Sequence, residues 1–445
     1  MRVSVVGTGY VGLVSGACLA EKGHDVVCVD LDREKVDTIN RAIPPFHERG
    51  LEDLLKKNVG RRLKASTDLR KSVIETELSL IAVGTPFNGK EIDLTYIRDA
   101  SCQIGEALRD KSDYHVIAVK STVVPGTTEG LVLPSLESTS GKKAGKSFGV
   151  GMNPEFLRQG EAVQDFMFPD RIVLGGMDQN TIHVLEELYA VFADAYVIKT
   201  SNKTAEMIKY TSNSLLATMI SFSNEIGNLC AGLGNVDVVE VMKGVHLDKR
   251  LSPILPGGKR ITPSFLSYLE AGCGFGGSCF PKDVKALIAH GTKSGQPMRL
   301  LDAVIKVNKK QPQRMIALLR KHYPSFEGLR VAVLGLAFKP GTDDIRESPA
   351  LPVIKTLIAE RALIKAYDPV AAKAANAVFG NGHITFHKDL AQVVQDVDAI
   401  VLITSWEEFR TLPQLLSQSD AQPLVIDGRR MLDKRDVTRY EGVGM

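Results

Sequence analysis

The stretch that most narrows what this chain can fold into is Gly7-Thr8-Gly9-Tyr10-Val11-Gly12, because of what stands on either side of it. Residues 3–6 are a short β-branched run that reads as a buried strand. Residues 13–22 read as a helix, residues 25–29 as a second strand, and Asp30 closes that strand. Strand, GxGxxG, helix, strand and an acid about 20 residues on form the dinucleotide-binding arrangement. Gly7 makes the turn, Gly9 lets a pyrophosphate approach the backbone, and Gly12 lets helix pack on strand. Amides at the helix N-terminus then hold the phosphates. Asp30 suits the hydroxyls of an adenosine ribose and repels a 2′-phosphate, so NAD is expected rather than NADP.

The same glycines decide how the N-terminus is read. Residues 3–20 carry no charge and follow Met1-Arg2, the outline of a secretory signal. Gly7, Gly9, Gly12 and Gly16 break that run, and no other stretch is long and apolar enough to span a membrane. The 55 basic and 52 acidic residues leave a net charge of +3, which gives no ground for a nucleic-acid or membrane partner. None of the six cysteines (Cys18, Cys28, Cys102, Cys230, Cys273, Cys279) sits in a CxxC pair. Neither a disulfide framework nor a structural metal is expected, and a reducing cytoplasm fits.

Further strands are expected at 78–83, 116–119, 148–151 and 172–174, alternating with helical segments, which predicts a mostly parallel, doubly wound α/β sheet. Two strand ends run into polar turns, Val83-Gly84-Thr85-Pro86 and Lys120-Ser121-Thr122-Val123, at the edge where such sheets bind ligands. Residues 201–231 hold no proline and only Gly227, predicting one long helix stopped near Gly232 or Gly234. Lys209 and Asn213 share a face of it, and spacing alone gives that pair a solvated surface. More helix is expected at 283–294 and 299–322, with a kink or boundary at Pro312. A second α/β sheet begins at 330–334 and continues at 363–366, 399–404 and 424–426, without a GxGxxG. Lys339, Arg346 and Arg429 follow its strands, either as phosphate ligands or as surface charges.

Chemistry concentrates in Gly274-Phe275-Gly276-Gly277-Ser278-Cys279-Phe280-Pro281-Lys282-Asp283. Glycines let the backbone approach a ligand. A lysine three residues on favours the reactive thiolate, and the carboxylate beside it can handle a water or a proton. A buried cysteine at a turn is the plainer reading, and the density of glycine and charge argues against it.

Taken with Val83-Gly84-Thr85-Pro86, Asn153-Pro154-Glu155-Phe156-Leu157, the Lys209/Asn213 helix and Leu334-Gly335-Leu336-Ala337-Phe338-Lys339, that block resembles the UDP-glucose/GDP-mannose dehydrogenase family over the whole chain. The UDP-glucose 6-dehydrogenases are the nearer resemblance. It implies two Rossmann-like domains joined by a long central helix: an NAD domain at 1–200, a helical dimerisation domain carrying the cysteine at 201–325, and a nucleotide-sugar domain at 326–445. It implies twofold oxidation of a sugar C6 alcohol to a carboxylate, with Cys279 as the covalent nucleophile. Lys209 and Asn213 would surround the C6 oxygen, Asp283 and Thr122 would position water, and Glu155 would act as acid/base. Cofactor contacts would come from Gly7, Gly9, Tyr10, Val11, Gly12, Asp30, Lys35, Thr85, Thr122 and Arg346. Substrate contacts would come from Glu155, Phe156, Leu157, Lys209, Asn213, Tyr268, Phe275, Gly276, Phe338, Lys339 and Arg429, with Arg250 or Arg260 reaching a sugar across a homodimer. The chain departs from the family pattern at Gln159, at Glu48-Arg49 and in a longer connection over 250–268.

Three other readings stand against this one on sequence. The same chemistry could act on GDP-mannose or a UDP-N-acetylhexosamine. A non-catalytic nucleotide-binding regulator would need no thiol. A simple one-step dehydrogenase or a nucleotide-sugar epimerase would need no cysteine either, and no tyrosine here has the lysine four residues on that epimerases of the Tyr-x-x-x-Lys type use.

Overall fold

A computed structural model describes residues 1–380, 382–418 and 422–445. The chain divides into two compact units, Met1–Ser212 with Ala289–Gly295, and Asn213–Ile288 with Gln296–Met445.

The first unit is built on β1 (Arg2–Val6), β2 (Asp25–Val29), β3 (Leu63–Ser66), β4 (Leu78–Ile81), β5 (His115–Val119), β6 (Phe148–Met152), β7 (Arg171–Gly176) and β8 (Tyr196–Thr200). They form one sheet in the order β3-β2-β1-β4-β5-β6-β7-β8, parallel throughout except between β6 and β7. Alternate residues feed two cores. Val3, Val5, Val26, Cys28, Leu78 and Leu80 pack on one face, and Val6, Val27, Val29, Ile81, Ile117 and Val119 on the other. A sheet apolar on both faces must be covered on both, which is why helices alternate with these strands. Ser4 is a polar exception at the centre, bonded to Ser79 Oγ at 2.7 Å, and Ser79 in turn contacts His115 Nε2 at 2.8 Å. Burial in this apolar setting pushes the His115 imidazole down to about 3, so it is neutral at physiological pH.

The second unit repeats the plan with β9 (Arg330–Leu334), β10 (Leu363–Tyr367), β11 (Ile384–Phe386), β12 (Ala399–Leu402), β13 (Leu424–Asp427) and β14 (Tyr440–Gly442). Their order is β11-β10-β9-β12-β13-β14, all parallel. Val331, Val333, Val401 and Ile426 face one core, and Ala332, Leu334, Leu402 and Val425 the other. In each sheet the strand carrying the glycine turn lies inside, flanked by strands leading away in both directions. That is the switch point beyond whose carboxyl ends ligands bind.

The central helix runs unbroken from Asn202 to Leu233 and passes from the first unit into the second. Gly234 ends it with φ +70°, a left-handed conformation that costs glycine little. The helix Arg299–His322 continues through Pro312, so a helix boundary there is corrected. Pro312 is buried, and tertiary packing of its face outweighs the one backbone bond that a proline removes. Four strands, β3, β8, β11 and β14, were not expected from the sequence. Among the described residues no helix is long and apolar enough to cross a membrane.

Candidate active site

In the first unit the ligand edge begins at the glycine loop. A Cβ on Gly12 would lie 1.9 Å from the Gly7 carbonyl oxygen, whereas a Cβ on Gly9 would meet nothing within 4 Å. The backbone is closed where helix meets strand and open where a diphosphate would lie, so the loop fits a dinucleotide. Tyr10 and Val11 open the helix Tyr10–Glu21, whose first amides face that opening. Asp30, at the end of β2, accepts from Thr8 N at 2.9 Å, Thr8 Oγ1 at 2.5 Å and Asp32 N at 3.0 Å. Burial opposes ionisation there, and these hydrogen bonds with nearby Lys35 outweigh it, holding the carboxyl below its ordinary range. Lys35 itself stands 3.8 Å from Asp32, exposed at the start of the helix Arg33–Asn40. Thr85 Oγ1 donates to the Thr122 carbonyl at 2.9 Å, tying together the turns after β4 and β5.

Beyond β6, Glu155 is almost completely buried. Its Oε1 lies 2.9 Å from Lys209 Nζ, and its Oε2 accepts from Leu157 N at 2.6 Å. Phe156 carries the Arg171 guanidinium on its ring at 3.9 Å, and Lys209 Nζ lies 5.4 Å from the same ring. Lys209 is 3% exposed and Asn213 7%, so the solvated helix face that spacing suggested is corrected. Spacing names the residues that share a face and is silent on what packs against it.

On sequence Lys120 is only the first residue of a polar turn, with no role of its own. Its ammonium is buried, 3.0 Å from Asn153 Oδ1 and 3.3 Å from Tyr189 Oη. Burial brings it down to about 8, with Glu155 pulling it up and Lys209 pushing it further down. A lysine closing the apolar run 116–119 was the available signal. Glu48, on sequence only part of a departure from the family pattern, accepts from Gly160 N at 2.6 Å and Ala162 N at 2.9 Å, holding the turn that follows Glu155.

In the second unit Cys279 stands directly before the helix Phe280–Lys293. Asp283 is one turn on, 1% exposed, and its amide donates to the Cys279 carbonyl at 2.8 Å. Its carboxylate takes Asn213 Nδ2 on Oδ2 and Lys282 Nζ on Oδ1, each at 2.6 Å. Ser278 Oγ lies 3.7 Å from Cys279 Sγ. The peptide dipoles of this helix start favour negative charge at the thiol end. Arg346 is gripped by Asp344 at 2.7–3.1 Å and lies within electrostatic reach of Cys279.

A Cβ on Gly276 would fall 2.2 Å from the Glu347 carbonyl oxygen, so only glycine passes there, and Phe338 covers Gly277. Phe275 is buried edge-on to Phe280 at 5.9 Å, and Phe280 in turn faces Tyr268 at 6.3 Å. Lys339 is half-buried after β9. Arg429 donates to Ile403 O at 2.6 Å and Gly274 O at 3.1 Å. The two arginines of the long connection do different things. Arg250 is exposed and paired with Asp248, whereas Arg260 donates to Leu247 O and Ser252 O at 2.8 and 2.9 Å.

Among the described residues no cluster of three or more His, Cys, Asp or Glu side chains could hold a metal ion. What the two units present is a dinucleotide loop with a buried lysine–carboxylate pair, and a thiol with a fixed carboxylate one helical turn away.

Known proteins share these features. The UDP-glucose/GDP-mannose dehydrogenase family models match in order: the NAD binding domain over residues 1–193, the central domain over 203–310 and the UDP binding domain over 332–434. UDP-glucose 6-dehydrogenase AglM of Haloferax volcanii is 41% identical over 450 residues, covering 100% of both chains. A GDP-mannose 6-dehydrogenase of Pseudomonas savastanoi pv. phaseolicola is 41% identical over 426 residues, 93% of each chain. The solved structure of a UDP-glucose dehydrogenase from Pyrobaculum islandicum aligns with a TM-score of 0.89 at 38% identity, covering 99% of this chain and 97% of that one.

Proposed function

The chain belongs to the UDP-glucose/GDP-mannose dehydrogenase family of NAD-dependent nucleotide-sugar dehydrogenases, and on that premise we propose that it oxidises the C6 alcohol of UDP-glucose twice, to UDP-glucuronate. The observation that carries this reading is the thiol of Cys279 at a helix start with Asp283 fixed behind it by Asn213 and Lys282. An enzyme that stopped at the aldehyde would have no use for that nucleophile.

NAD⁺, when bound, supplies the two-electron oxidation of C6 in each half of the reaction. The Gly7–Gly12 loop with Tyr10 and Val11 holds its diphosphate, Asp30 and Lys35 its adenosine ribose, and Thr85, Thr122 and Arg346 the remainder. In the first half Glu155 takes up the hydroxyl proton, directly or through Lys209, its partner at 2.9 Å. The Lys209 ammonium and the Asn213 amide stabilise the alkoxide that develops on O6.

An aldehyde has no hydride to give until a nucleophile adds to it. Cys279 Sγ adds to the C6 carbonyl carbon, forming a thiohemiacetal whose oxidation leaves a thioester on the sulfur. Asp283 and Thr122 position the water that cleaves this thioester, returning the thiol and releasing the carboxylate. That hydrolysis makes the sequence irreversible in practice.

By the family resemblance Phe156, Leu157, Tyr268, Phe275, Gly276 and Phe338 are the residues for the sugar nucleotide, and Lys339 and Arg429 those for its phosphates. Residues 1–200, 201–325 and 326–445 divide the work among cofactor, nucleophile and nucleotide sugar. A second copy completes the enzyme, with Arg250 or Arg260 reaching its sugar, and the cytoplasm supplies the substrate. UDP-glucose is favoured by the block 275–283 and by the Asp170-Arg171 pair, whose arginine stacks on Phe156. GDP-mannose is the competing substrate, since a GDP-mannose 6-dehydrogenase reaches the same 41% identity, over 93% of the chain. NADH formation from a panel of UDP- and GDP-sugars at limiting concentration separates them: UDP-glucose is expected to react fastest, and faster turnover of GDP-mannose would reverse the assignment.

A further inference from the structure

The segment leading to Cys279 is held by side-chain amides from two helices. Asn224, on the central helix, accepts from Gly272 N at 2.7 Å. Gln311, on Arg299–His322, donates to Gly272 O at 2.8 Å and is itself held by Asn228 Nδ2 at 2.9 Å. Gly428 O takes Cys273 N at 2.8 Å, and Arg429 donates to Gly274 O. Asn308 makes the side-chain amide contact nearest the thiol in sequence, and between it and Cys279 the Gly277 amide donates to Arg346 O at 2.8 Å. Asn308 Oδ1 accepts from Phe275 N at 2.8 Å while its Nδ2 donates to Phe275 O at 2.9 Å.

This last pairing is demanding. One planar amide satisfies both backbone groups of a single residue, which needs a donor and an acceptor at fixed separation. Aspartate would serve the N–H and repel the carbonyl, and alanine would serve neither. A Cβ on Gly274 would stand 2.7 Å from Asn308 Oδ1, so glycine at 274 leaves the room this amide occupies. Phe275, so fixed, packs edge-on against Phe280, the first residue of the helix after Cys279.

We propose that Asn308 is a positioning residue for the nucleophile. Acting through the Phe275 backbone, its amide sets where the segment 275–279 presents the thiol, and so governs how often the aldehyde is captured before it escapes. The inference rests on the reading of Cys279 as the nucleophile. A displacement of about 1 Å at a reacting atom lowers a rate on the order of 100-fold, so small losses of order here are legible in kinetics.

The test uses the full-length enzyme with Asn308→Ala, Asn308→Asp and, as reference, Cys279→Ala. Three quantities are read on the folded fraction of each: kcat and KM with UDP-glucose and NAD⁺, the ratio of hydroxylamine-trapped aldehyde to acid, and the rate of iodoacetamide alkylation at Cys279 by peptide mass spectrometry. Both Asn308 variants are expected to lose about 10- to 100-fold in kcat, to leave KM for NAD⁺ within about twofold, and to raise the aldehyde share. Cys279 alkylation is expected to change several-fold, with Cys273 unaffected. If Asn308→Asp or Asn308→Ala keeps kcat, partition and alkylation within twofold of the parent while Cys279→Ala forms no acid, Asn308 has no positioning role. If Cys279→Ala still forms acid, the underlying reading of the nucleophile fails instead.

Discussion

Lys209 Nζ lies 2.9 Å from Glu155 Oε1, and neither side chain is more than 5% exposed. An ion pair this deep is poor evidence of extra stability, because two desolvated charges regain little beyond what water gave them. Breaking it is another matter, since the survivor is stranded. Lys209→Ala is expected to lower kcat on the order of 100-fold or more, with a much smaller change in KM for the sugar nucleotide. Steady-state kinetics on folded protein decides this, and a near-normal kcat would return Lys209 to a purely structural role.

Asp30 governs the choice of cofactor. Its carboxylate is kept ionised by Thr8 and Asp32, and a 2′-phosphate placed beside it meets like charge. Like charges juxtaposed in an interface cost several kcal/mol, so NAD⁺ is expected to exceed NADP⁺ by roughly 100-fold or more in kcat/KM. Asp30→Asn should narrow that gap mainly through NADP⁺. Equal efficiency of the parent enzyme with both cofactors would contradict the assignment.

Acid sensitivity should centre on Asp237 in the second unit. Burial alone would raise its carboxyl, but hydrogen bonds from Arg430, Lys434 and Val239 N bring it down to about 2. The unfolded chain therefore binds the proton more readily, and folding stability falls with pH in that window. The contribution is complete above about pH 5 and lost as the pH drops through 4 toward 2. Urea unfolding of Asp237→Asn should show a loss on the order of 1–2 kcal/mol at neutral pH and a shallower decline below pH 5. Parallel curves for parent and variant would show that the pair contributes nothing.

The central helix exposes Leu215, Phe222 and Leu229 at seven-residue intervals, half or more of each side chain in water. That spacing lines one helix face, and a second copy of the chain is its expected cover. Sedimentation equilibrium should give twice the chain mass for the parent and a shift toward the single chain for Phe222→Asp. A monomeric parent would remove the homodimer.

Legibility followed the range of the interactions. The glycine loop, Asp30 and the central helix are written in neighbouring residues, and the sequence shows them. β3 and β8 are short edge strands with partly exposed side chains, and the apolar stretch at β8 covers only residues 195–198, so neither registered. Lys120 and Asn308 find their partners 33 residues away, and Glu48 more than 100 away. Local pattern holds no trace of such pairings. For Lys209 and Asn213 the local pattern suggested solvent, and the packing of other elements over the helix decided otherwise.

The covalent step is the centre of this account, and Cys279→Ala tests it most directly. Cys273 is the internal control: it is fully buried, its thiol is raised by that burial and it donates to Ile403 O. The measurement is NADH formed per UDP-glucose consumed, with the product identified by mass spectrometry. Cys279→Ala should make no UDP-glucuronate, any remaining NADH accompanying aldehyde alone, while Cys273→Ala still yields two NADH and the acid. A normal yield of acid from Cys279→Ala would contradict the covalent mechanism.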